Sequence, residues 1–414
     1  MELISSVFVF DWGTIGNDSV VAQLAAHNNP DFKLDKTMHY AQLCIGSLKG
    51  ALTNYTRNGE EFTADLPYML KVLSIAKATS IHVHPNQIDA EFLHKKEPQV
   101  YRHTGSKPEM IIALTPFVAV CSFRPLTEIK DILLNIYPLR RLVVGDSDDF
   151  DLLEAGDEQG LRNCFRTLMQ KELDAIAQCV EAISKDFGKE MCKYDVLDIF
   201  NILKGEFRKD VGVILIFFLN VIRLQPGEAM FADAGEMHAY LSGECIEFLT
   251  PSENVIRTGL TTKYKDVKQL CQIVNYKGLT VEEVKLKPEH IGDQRLLFKP
   301  PIEDFAVTQI ILRPIDQLYV LQIEQQPGIM LVISGQRTLE VNGVKQAQLK
   351  RGSILFLPYE VGTELRFVYS GEGEENFVAF ITTPNVAPVE PSNDPPIDQP
   401  NAPPVAMSVT EMAN

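Results

Sequence analysis

The sequence has few positive charges, a single tryptophan and no long apolar run. Lys and Arg number 39 against 55 Asp and Glu in 414 residues, which gives a formal net charge of −16. This balance argues against nucleic acid or an anionic membrane surface as a general partner. The longest apolar run, residues 213–219, is far shorter than a membrane span. An anionic small molecule would need a locally basic pocket in an acidic body.

The cysteines are seven in number, widely spaced and without a Cys-x-x-Cys motif. This usage is typical of free, mostly buried thiols in a reducing compartment. The first residues carry no basic start and reach Asp11 too early for a secretory signal. Apolar content of 45% is ordinary for a globular protein, and the length allows two or three domains. We therefore expect a soluble, cytoplasmic protein.

Two histidines, His82 and His84, follow an apolar run at 69–75 that predicts a buried strand. Side chains at i and i+2 of a strand point to the same face, so both imidazoles can share one metal ion. Pro85 then ends the strand, because proline cannot donate to the ladder. A His-x-His pair alone is a weak signal, since two unrelated surface or core histidines would also produce it.

Four further charged residues interrupt or border apolar strands. Lys71 stands inside an apolar run, where a lysine must be paired, face a cavity or extend to a sheet edge. Glu109 opens an apolar run bounded by prolines, and Lys107, two residues earlier, can share its face. Glu247 alternates with apolar neighbours. A carboxylate at the start of a strand, such as Glu109, is usually solvated and gains functional interest only if it faces the two histidines.

The hydrophobic period changes along the chain. Three- and four-residue spacing between 126 and 210 predicts a helical region. Elsewhere, apolar runs bounded by Gly and Pro turns predict strands, among them 213–223 and several runs between 288 and 382. A Pro-Gly turn, a strand, a Gly turn and a strand opening at His238 predict a β-hairpin. The tail, 383–414, carries eight prolines and is expected to be disordered.

These patterns predict a mainly β protein with an α-helical insertion. We expect a first, discontinuous β domain of residues 1–125 and 211–287 and a helical insertion of 126–210. A second β domain would span 288–382, before the Pro-rich tail.

Four long motifs, in this order along the chain, resemble type I phosphomannose isomerases. They are His-Val-His-Pro-Asn at 82–86, Lys-Pro-Glu-Met-Ile-Ile-Ala-Leu-Thr-Pro-Phe at 107–117, Pro-Gly-Glu-Ala with His-Ala-Tyr-Leu-Ser-Gly at 226–229 and 238–243, and Asn-Val-Ile-Arg-Thr-Gly-Leu-Thr-Thr-Lys-Tyr-Lys-Asp-Val at 254–267. The resemblance implies a cupin (jelly-roll) catalytic domain, a second cupin-like β domain and one zinc ion per chain. The implied reaction interconverts mannose 6-phosphate and fructose 6-phosphate through an enediol.

The same resemblance implies roles for individual residues. The implied metal ligands are His82, His84, Glu109 and His238. The implied catalytic residues are Arg257, Lys107 and Glu247, and the implied substrate-binding residues are Lys71, Ser80, Lys263 and Trp12. Trp12 is interpreted first as a core or lid anchor. The base stays open between Lys107, Glu247 and a metal-bound water.

The chain also departs from the family pattern. His82 stands where the family has glutamine, and imidazole is the better zinc ligand, so metal binding should survive. Residues 86–87 and 44–49 also differ from the family's Asp-Lys and Trp-Met-Gly-Thr-His-Pro. These differences leave open a catalytically weakened metal- or sugar-phosphate-binding cupin. An iron cupin oxygenase is a third interpretation, although Arg257 and Lys263 have no obvious role there. A small-molecule sugar phosphate is the expected partner, and we expect a monomer that binds neither nucleic acid nor membrane.

Overall fold

The computed structural model describes residues 1–46, 54–145, 148–324, 327–358, 360–371 and 374–386. Most ordered elements in these ranges are β-strands. The strands are β1 (Leu3–Ile4), β2 (Ser6–Ile15), β3 (His39–Ile45), β4 (Tyr55–Thr56), β5 (Met69–Ile75), β6 (Ile81–Val83), β7 (Glu109–Ala113), β8 (Phe117–Phe123), β9 (Leu219–Leu224), β10 (Ala229–Ala232), β11 (His238–Leu249), β12 (Ile256–Gly259), β13 (Lys285–Leu286), β14 (Glu289–His290), β15 (Arg295–Phe298), β16 (Ala306–Leu312), β17 (Leu318–Gln322), β18 (Gly328–Ser334), β19 (Gln336–Val341), β20 (Val344–Lys350), β21 (Ile354–Leu357), β22 (Glu364–Val368) and β23 (Phe377–Thr383).

The helices are concentrated between residues 126 and 215, as the apolar spacing predicts. They are α1 (Val20–Asn28), α2 (Gln87–Lys96), α3 (Leu126–Asn135), α4 (Tyr137–Val143), α5 (Asp149–Glu154), α6 (Glu158–Met169), α7 (Leu173–Asp186), α8 (Gly188–Lys193), α9 (Leu197–Phe207), α10 (Gly212–Leu215), α11 (Val267–Ile273) and α12 (Val281–Val284). In the described part of the chain, no helix is both long and apolar enough to cross a membrane. The expectation of a mainly β protein with an inserted helical region is confirmed.

The longest strand, β11, organises the first half of the fold. Its C-terminal half pairs with β5 and β7, and its N-terminal half pairs with β6 and β8. All of these pairings are antiparallel, and β12 adds to the far side of β6. Because β11 pairs with β5 and β7 at one end and with β6 and β8 at the other, residues from distant parts of the sequence meet along its length.

The helical region covers the outer face of β6, β8 and β9. Ile81 and Val83 of β6 and Phe123 of β8 are buried in one apolar cluster with the helices. Phe165 of α6, for example, lies edge-on to Phe123 with ring centroids 5.6 Å apart. The apolar residues of the helices therefore pack a core layer against this sheet.

Two sheets form the second half of the fold. One has the strand order β14-β15-β16-β23-β18-β21 and the other β17-β22-β19-β20. They share a core, while the six-stranded sheet also packs on the first half, for example Phe380 on Phe248. The Tyr68 hydroxyl adds a polar link, since it lies 2.9 Å from the Thr382 carbonyl and 2.8 Å from that of Pro327.

Two expectations for the first half are wrong in detail. Residues 213–223 do not form one strand, because Gly212–Leu215 is a short helix and the strand begins at Leu219. A short run that is buried all round has no period that separates helix from strand. The predicted hairpin at 229–241 is also absent, since β7 pairs with both β10 and β11 and lies between them. Local turn signals do not report such a long-range pairing.

The ordered part of the chain extends a few residues beyond 382, the expected end of the second β domain. Strand β23 continues to Thr383, and the Asn385 side chain donates to the carbonyls of Pro300 and Ile302 at 3.1 and 2.7 Å. The rest of the segment expected to be disordered, residues 387–414, lies outside the described residues.

Candidate metal centre and adjoining pocket

Strand register brings the two halves of the predicted site together. His82 of β6 lies opposite His238 of β11 on one side and opposite Arg257 of β12 on the other. His84 follows β6 directly, and Glu109 is the first residue of β7. The segments that carry the candidate ligands are therefore fixed by backbone ladders rather than by loops alone.

The four predicted metal ligands form one cluster. His82, His84, Glu109 and His238 each offer a ligand atom, and these atoms all lie within 4.8 Å of one another. The Glu109 carboxylate is 3.3 Å from His84 Nε2 and 2.9 Å from His238 Nε2. The three imidazole rings have centroids 4.5–5.4 Å apart. His84, Glu109 and His238 are buried, so the cluster reaches solvent only past His82.

Each imidazole is oriented by a backbone carbonyl. Nδ1 of His82 lies 2.7 Å from the Ser80 carbonyl, and Nδ1 of His84 lies 2.6 Å from that of Asn254. Nδ1 of His238 lies 3.0 Å from the Glu236 carbonyl. A carbonyl only accepts, so Nδ1 must carry a hydrogen in each ring, which leaves Nε2 of neutral His82 and neutral His84 with its lone pair. This is the arrangement that orients histidine ligands toward a metal.

The protonation states of His82, His84 and Glu109 suit the same role. Burial, followed by the neighbouring imidazoles, holds the pKa of His82 well below its ordinary value, and burial and Lys107 lower the pKa of His84 to about 4. Burial alone would raise the pKa of Glu109, but Lys107 and His84 outweigh it and hold the pKa well below its ordinary value. Burial lowers the pKa of His238 too, but the hydrogen bond to Glu109, the charge of that carboxylate and the contact with the Glu236 carbonyl together raise it, so a metal would displace a proton from this ring. Neutral imidazole and ionised carboxylate are the forms that bind metals.

The donor set fits zinc. Three imidazole nitrogens and one carboxylate oxygen are ligands that zinc takes in proteins, and the neighbouring pocket provides access for a further ligand. The cluster lies beside a pocket of about 500 Å³, and His82 and Glu109 line it. His84 and His238 lie behind them, outside the pocket lining. The four residues therefore offer a closed protein side and an open side toward the pocket.

All the other predicted site residues line this pocket. They are Trp12, Lys71, Ser80, Lys107, Glu247, Arg257 and Lys263. The structure thus gathers residues that are up to 251 positions apart in the sequence, from 12 to 263. Of the altered segment 44–49, residues 47–49 lie outside the described residues. Asn86, the other altered position, caps α2 by accepting a hydrogen bond from the Asp89 amide at 2.8 Å.

The pocket contains both paired and unpaired cations. Lys71 lies opposite Glu247 in the β5–β11 ladder, and its Nζ is 3.3 Å from the carboxylate. Burial lowers the pKa of Lys71, but Glu247 together with Cys44 and Glu109 outweighs burial, and the pKa is raised. Lys107 Nζ is 2.7 Å from Glu109. Arg257 and Lys263 make no ion pair with any residue that the structure describes, so the pocket keeps an excess of positive charge.

Several pocket residues were not predicted from the sequence. They are Phe10, Asp11, Gln42, Lys77, Phe207 and Tyr240, together with a few smaller side chains. Tyr240 stands two residues after His238 and donates to Glu109 at 3.2 Å, so strand spacing could have revealed it. Lys77 is an exposed lysine without an ion pair among the described residues, and nothing in its local sequence marks it. Phe207 comes from helix α9, and only the tertiary fold brings it here.

The aromatic residues at the pocket mouth belong to an irregular part of β2. Val9 and Thr14 both face Tyr40 of β3, so residues 10–13 leave the ladder between them. Phe10 and Trp12 stack with centroids 5.7 Å apart. The Trp12 carbonyl accepts the amides of residues 76 and 77 at 2.9 and 3.2 Å. The Trp12 side chain is half-buried and packs on a neighbouring apolar cluster, and its role as a core or lid anchor stays a prediction.

Comparisons with known proteins agree with this arrangement. Residues 49–126 match the family model described as phosphomannose isomerase type I, catalytic domain. Mannose-6-phosphate isomerase from Emericella nidulans is 33% identical over 91% of this chain and 94% of that protein. Mannose-6-phosphate isomerase 1 from Arabidopsis thaliana is 32% identical over 88% of this chain and 90% of that protein.

Solved structures share the fold. An arginine-to-alanine variant of phosphomannose isomerase from Salmonella typhimurium is 25% identical, with a TM-score of 0.75 over 92% of this chain and 99% of that chain. A zinc-bound mannose 6-phosphate isomerase is 24% identical, with a TM-score of 0.72 over 93% of this chain and 99% of that chain. Fold and site together define a cupin-type protein with a histidine and carboxylate metal site. The chain belongs to the mannose-6-phosphate isomerase family.

Proposed function

We propose that this protein is a zinc-dependent isomerase that interconverts mannose 6-phosphate and fructose 6-phosphate. The observation that carries the proposal is the direct contact between the four-residue metal cluster and a pocket with unpaired cations. A metal cluster alone would suit many cupins. A cation-rich pocket beside it suits a phosphorylated substrate, and family membership narrows the substrate to a sugar 6-phosphate.

His82, His84, Glu109 and His238 are the residues we propose as zinc ligands. When bound, zinc supplies a Lewis acid that stabilises negative charge on a sugar oxygen. The protein's own contribution is to hold the ligands in place beforehand. The three Nδ1 contacts with backbone carbonyls and the contacts of Glu109 with two imidazoles provide that support.

Arg257 and Lys263 are proposed to hold the phosphate. Arginine can bind phosphate oxygens through two parallel hydrogen bonds, and lysine adds a mobile point charge. Neither side chain is neutralised by a described carboxylate, so both remain available to an anion. Ser80, Lys71 and Trp12 complete the proposed substrate contacts, with Trp12 closing the edge of the pocket.

Lys107 and Glu247 are proposed to handle the proton that moves between C2 and C1 of the sugar. Both line the pocket, and each is oriented by a partner of opposite charge. Lys71, whose pKa is raised beside Glu247, stays protonated at neutral pH and is unsuited to act as a base. Besides the substrate contact proposed above, Lys71 is proposed to position the Glu247 carboxylate.

The domain division follows from the same scheme. We propose that residues 1–125 and 211–287 form the catalytic domain, that 126–210 is a helical insertion, and that 288–382 is a second cupin-like domain. The family's activity on a small metabolite is consistent with a cytoplasmic monomer, which we also propose. Gel filtration of the purified protein at several concentrations tests the monomer.

The decisive experiment measures metal content and isomerase activity on the same preparation. Elemental analysis should find one zinc per chain, and a coupled assay for fructose 6-phosphate should detect turnover of mannose 6-phosphate. Zinc without turnover would replace the isomerase with a metal- or sugar-phosphate-binding cupin. Iron with oxygen uptake would indicate an oxygenase instead.

A further inference from the structure

A second polar groove lies between helices α6 and α11. It has a volume of about 660 Å³ and shares no lining residue with the pocket beside the metal cluster. Arg162, Arg166 and Lys268 line it, together with Gln170 and Gln272. We propose that this groove binds the phosphate group of an organic phosphate ester. The proposal does not depend on the isomerase activity.

The groove is unusual for this acidic chain because its lining contains no carboxylate. The protein has 55 acidic and 39 basic side chains, so a groove lined by cations without a carboxylate departs from the charge balance of the chain. Arg162, Arg166 and Lys268 nevertheless form no ion pair with any residue in the described ranges. Three unopposed cations in one groove create a local positive potential that attracts an anion.

Two of the cations occupy positions that are unfavourable without an anion. Arg162 and Arg166 are four residues apart on α6, so their like charges repel across one helical turn. A phosphate bound in the groove would relieve this repulsion.

One of the arginines is already held in place. The Arg162 guanidinium lies 4.1 Å from the ring centroid of Tyr276, a cation–π contact. Tyr276 is 2% exposed and stacks on Phe123, and its hydroxyl donates to the Cys271 carbonyl of α11 at 3.2 Å. Arg162 is therefore anchored to the rigid core on the α11 side, and its ordering cost on binding is reduced.

The chemistry of the lining selects the class of ligand. Guanidinium, ammonium and carboxamide groups all donate hydrogen bonds, and phosphate oxygens accept them. The volume is much larger than an inorganic phosphate, and Met169 and Val267 add apolar surface beside the cations. A phosphate ester with an organic part fits this combination better than a free inorganic anion.

Adenosine monophosphate is a suitable probe because it is a phosphate ester but no sugar 6-phosphate. We would titrate it by calorimetry into the full-length Arg257→Gln protein, in which the proposed phosphate grip beside the metal cluster is weakened. Adding Arg166→Gln and Lys268→Gln should weaken binding at least tenfold. Both side chains are exposed, so the melting temperature should stay within a few degrees and confirm folding.

A matched control distinguishes the loss of the groove's cations from a general change in net charge. Lys185→Gln with Lys189→Gln in the same background removes two exposed cations elsewhere in the helical region. This control should change the affinity less than twofold. The proposal is overturned if the Arg257→Gln protein binds no adenosine monophosphate, if the groove substitutions leave binding unchanged, or if the control weakens it equally.

Discussion

Replacing Arg257 with glutamine should remove most of the proposed grip on the phosphate while leaving the metal cluster intact. Arg257 lies in β12 opposite His82, and backbone pairing keeps this position in register whatever its side chain. Hydrogen bonds to a charged partner contribute about 1.5–3 kcal/mol each. Losing both bonds of a bidentate pair therefore raises the barrier by roughly 3–6 kcal/mol. At about 1.36 kcal/mol per tenfold change, kcat/KM should fall by about two to four and a half orders of magnitude.

The assay couples fructose 6-phosphate formation to a spectroscopic readout at several mannose 6-phosphate concentrations, with zinc measured on the same sample. Arg223→Gln is the control, because Arg223 pairs with Asp195 and Asp198 on the surface, outside the pocket lining. The control should keep kcat/KM within about twofold of the original protein, since such exposed ion pairs contribute little. A zinc-loaded Arg257→Gln protein with kcat/KM within threefold of the original would refute the phosphate assignment.

Three further substitutions test other parts of the argument. His238→Ala should lower bound zinc well below one per chain after dialysis, and full zinc content would remove His238 from the ligand set. Lys77→Gln should raise KM several-fold with little change in kcat and reduce the sensitivity of KM to salt, because it removes one unpaired cation from the pocket. An unchanged KM would show that Lys77 does not contact the substrate. Tyr68→Phe should lower the free energy of unfolding by about 1–3 kcal/mol, since a buried donor that links the two halves is lost. Urea denaturation with an unchanged midpoint would contradict that link.

Turn residues and apolar spacing predicted the strands of the second half of the fold well, because each of these signals depends on a few neighbouring residues. The Asn342-Gly343 dipeptide predicts a two-residue hairpin, and both residues have positive φ (49° and 78°) between paired strands β19 and β20. The three- and four-residue apolar spacing between 126 and 210 likewise corresponds to helices, α9 among them. Such turns and stripes depend on a few neighbouring residues, so one sequence is enough to find them.

The pairing of distant strands could not be predicted in the same way. Nothing near 229–241 shows that β7 lies between β10 and β11, although that pairing positions Glu109. Likewise, the i and i+2 spacing of His82 and His84 predicted their common side, but only the family resemblance connected them with His238. Lys77 and Phe207 were missed for the same reason, because the sequence around each of them gives no sign that the fold brings it to the pocket.

The side chains of β6 point alternately to the helical layer and to the metal centre, so this strand connects the two. Ile81 and Val83 are fully buried against the helices, while His82 points to the opposite side, toward His238. If the pairing register of β6 shifted by one residue, His82 would point into the apolar core and the two aliphatic side chains would be exposed. Burying an unpaired imidazole and exposing two aliphatic groups would each cost a few kcal/mol. The helical region, which contributes no candidate ligand, therefore fixes the register on which the spacing between the ligand cluster and Arg257 depends.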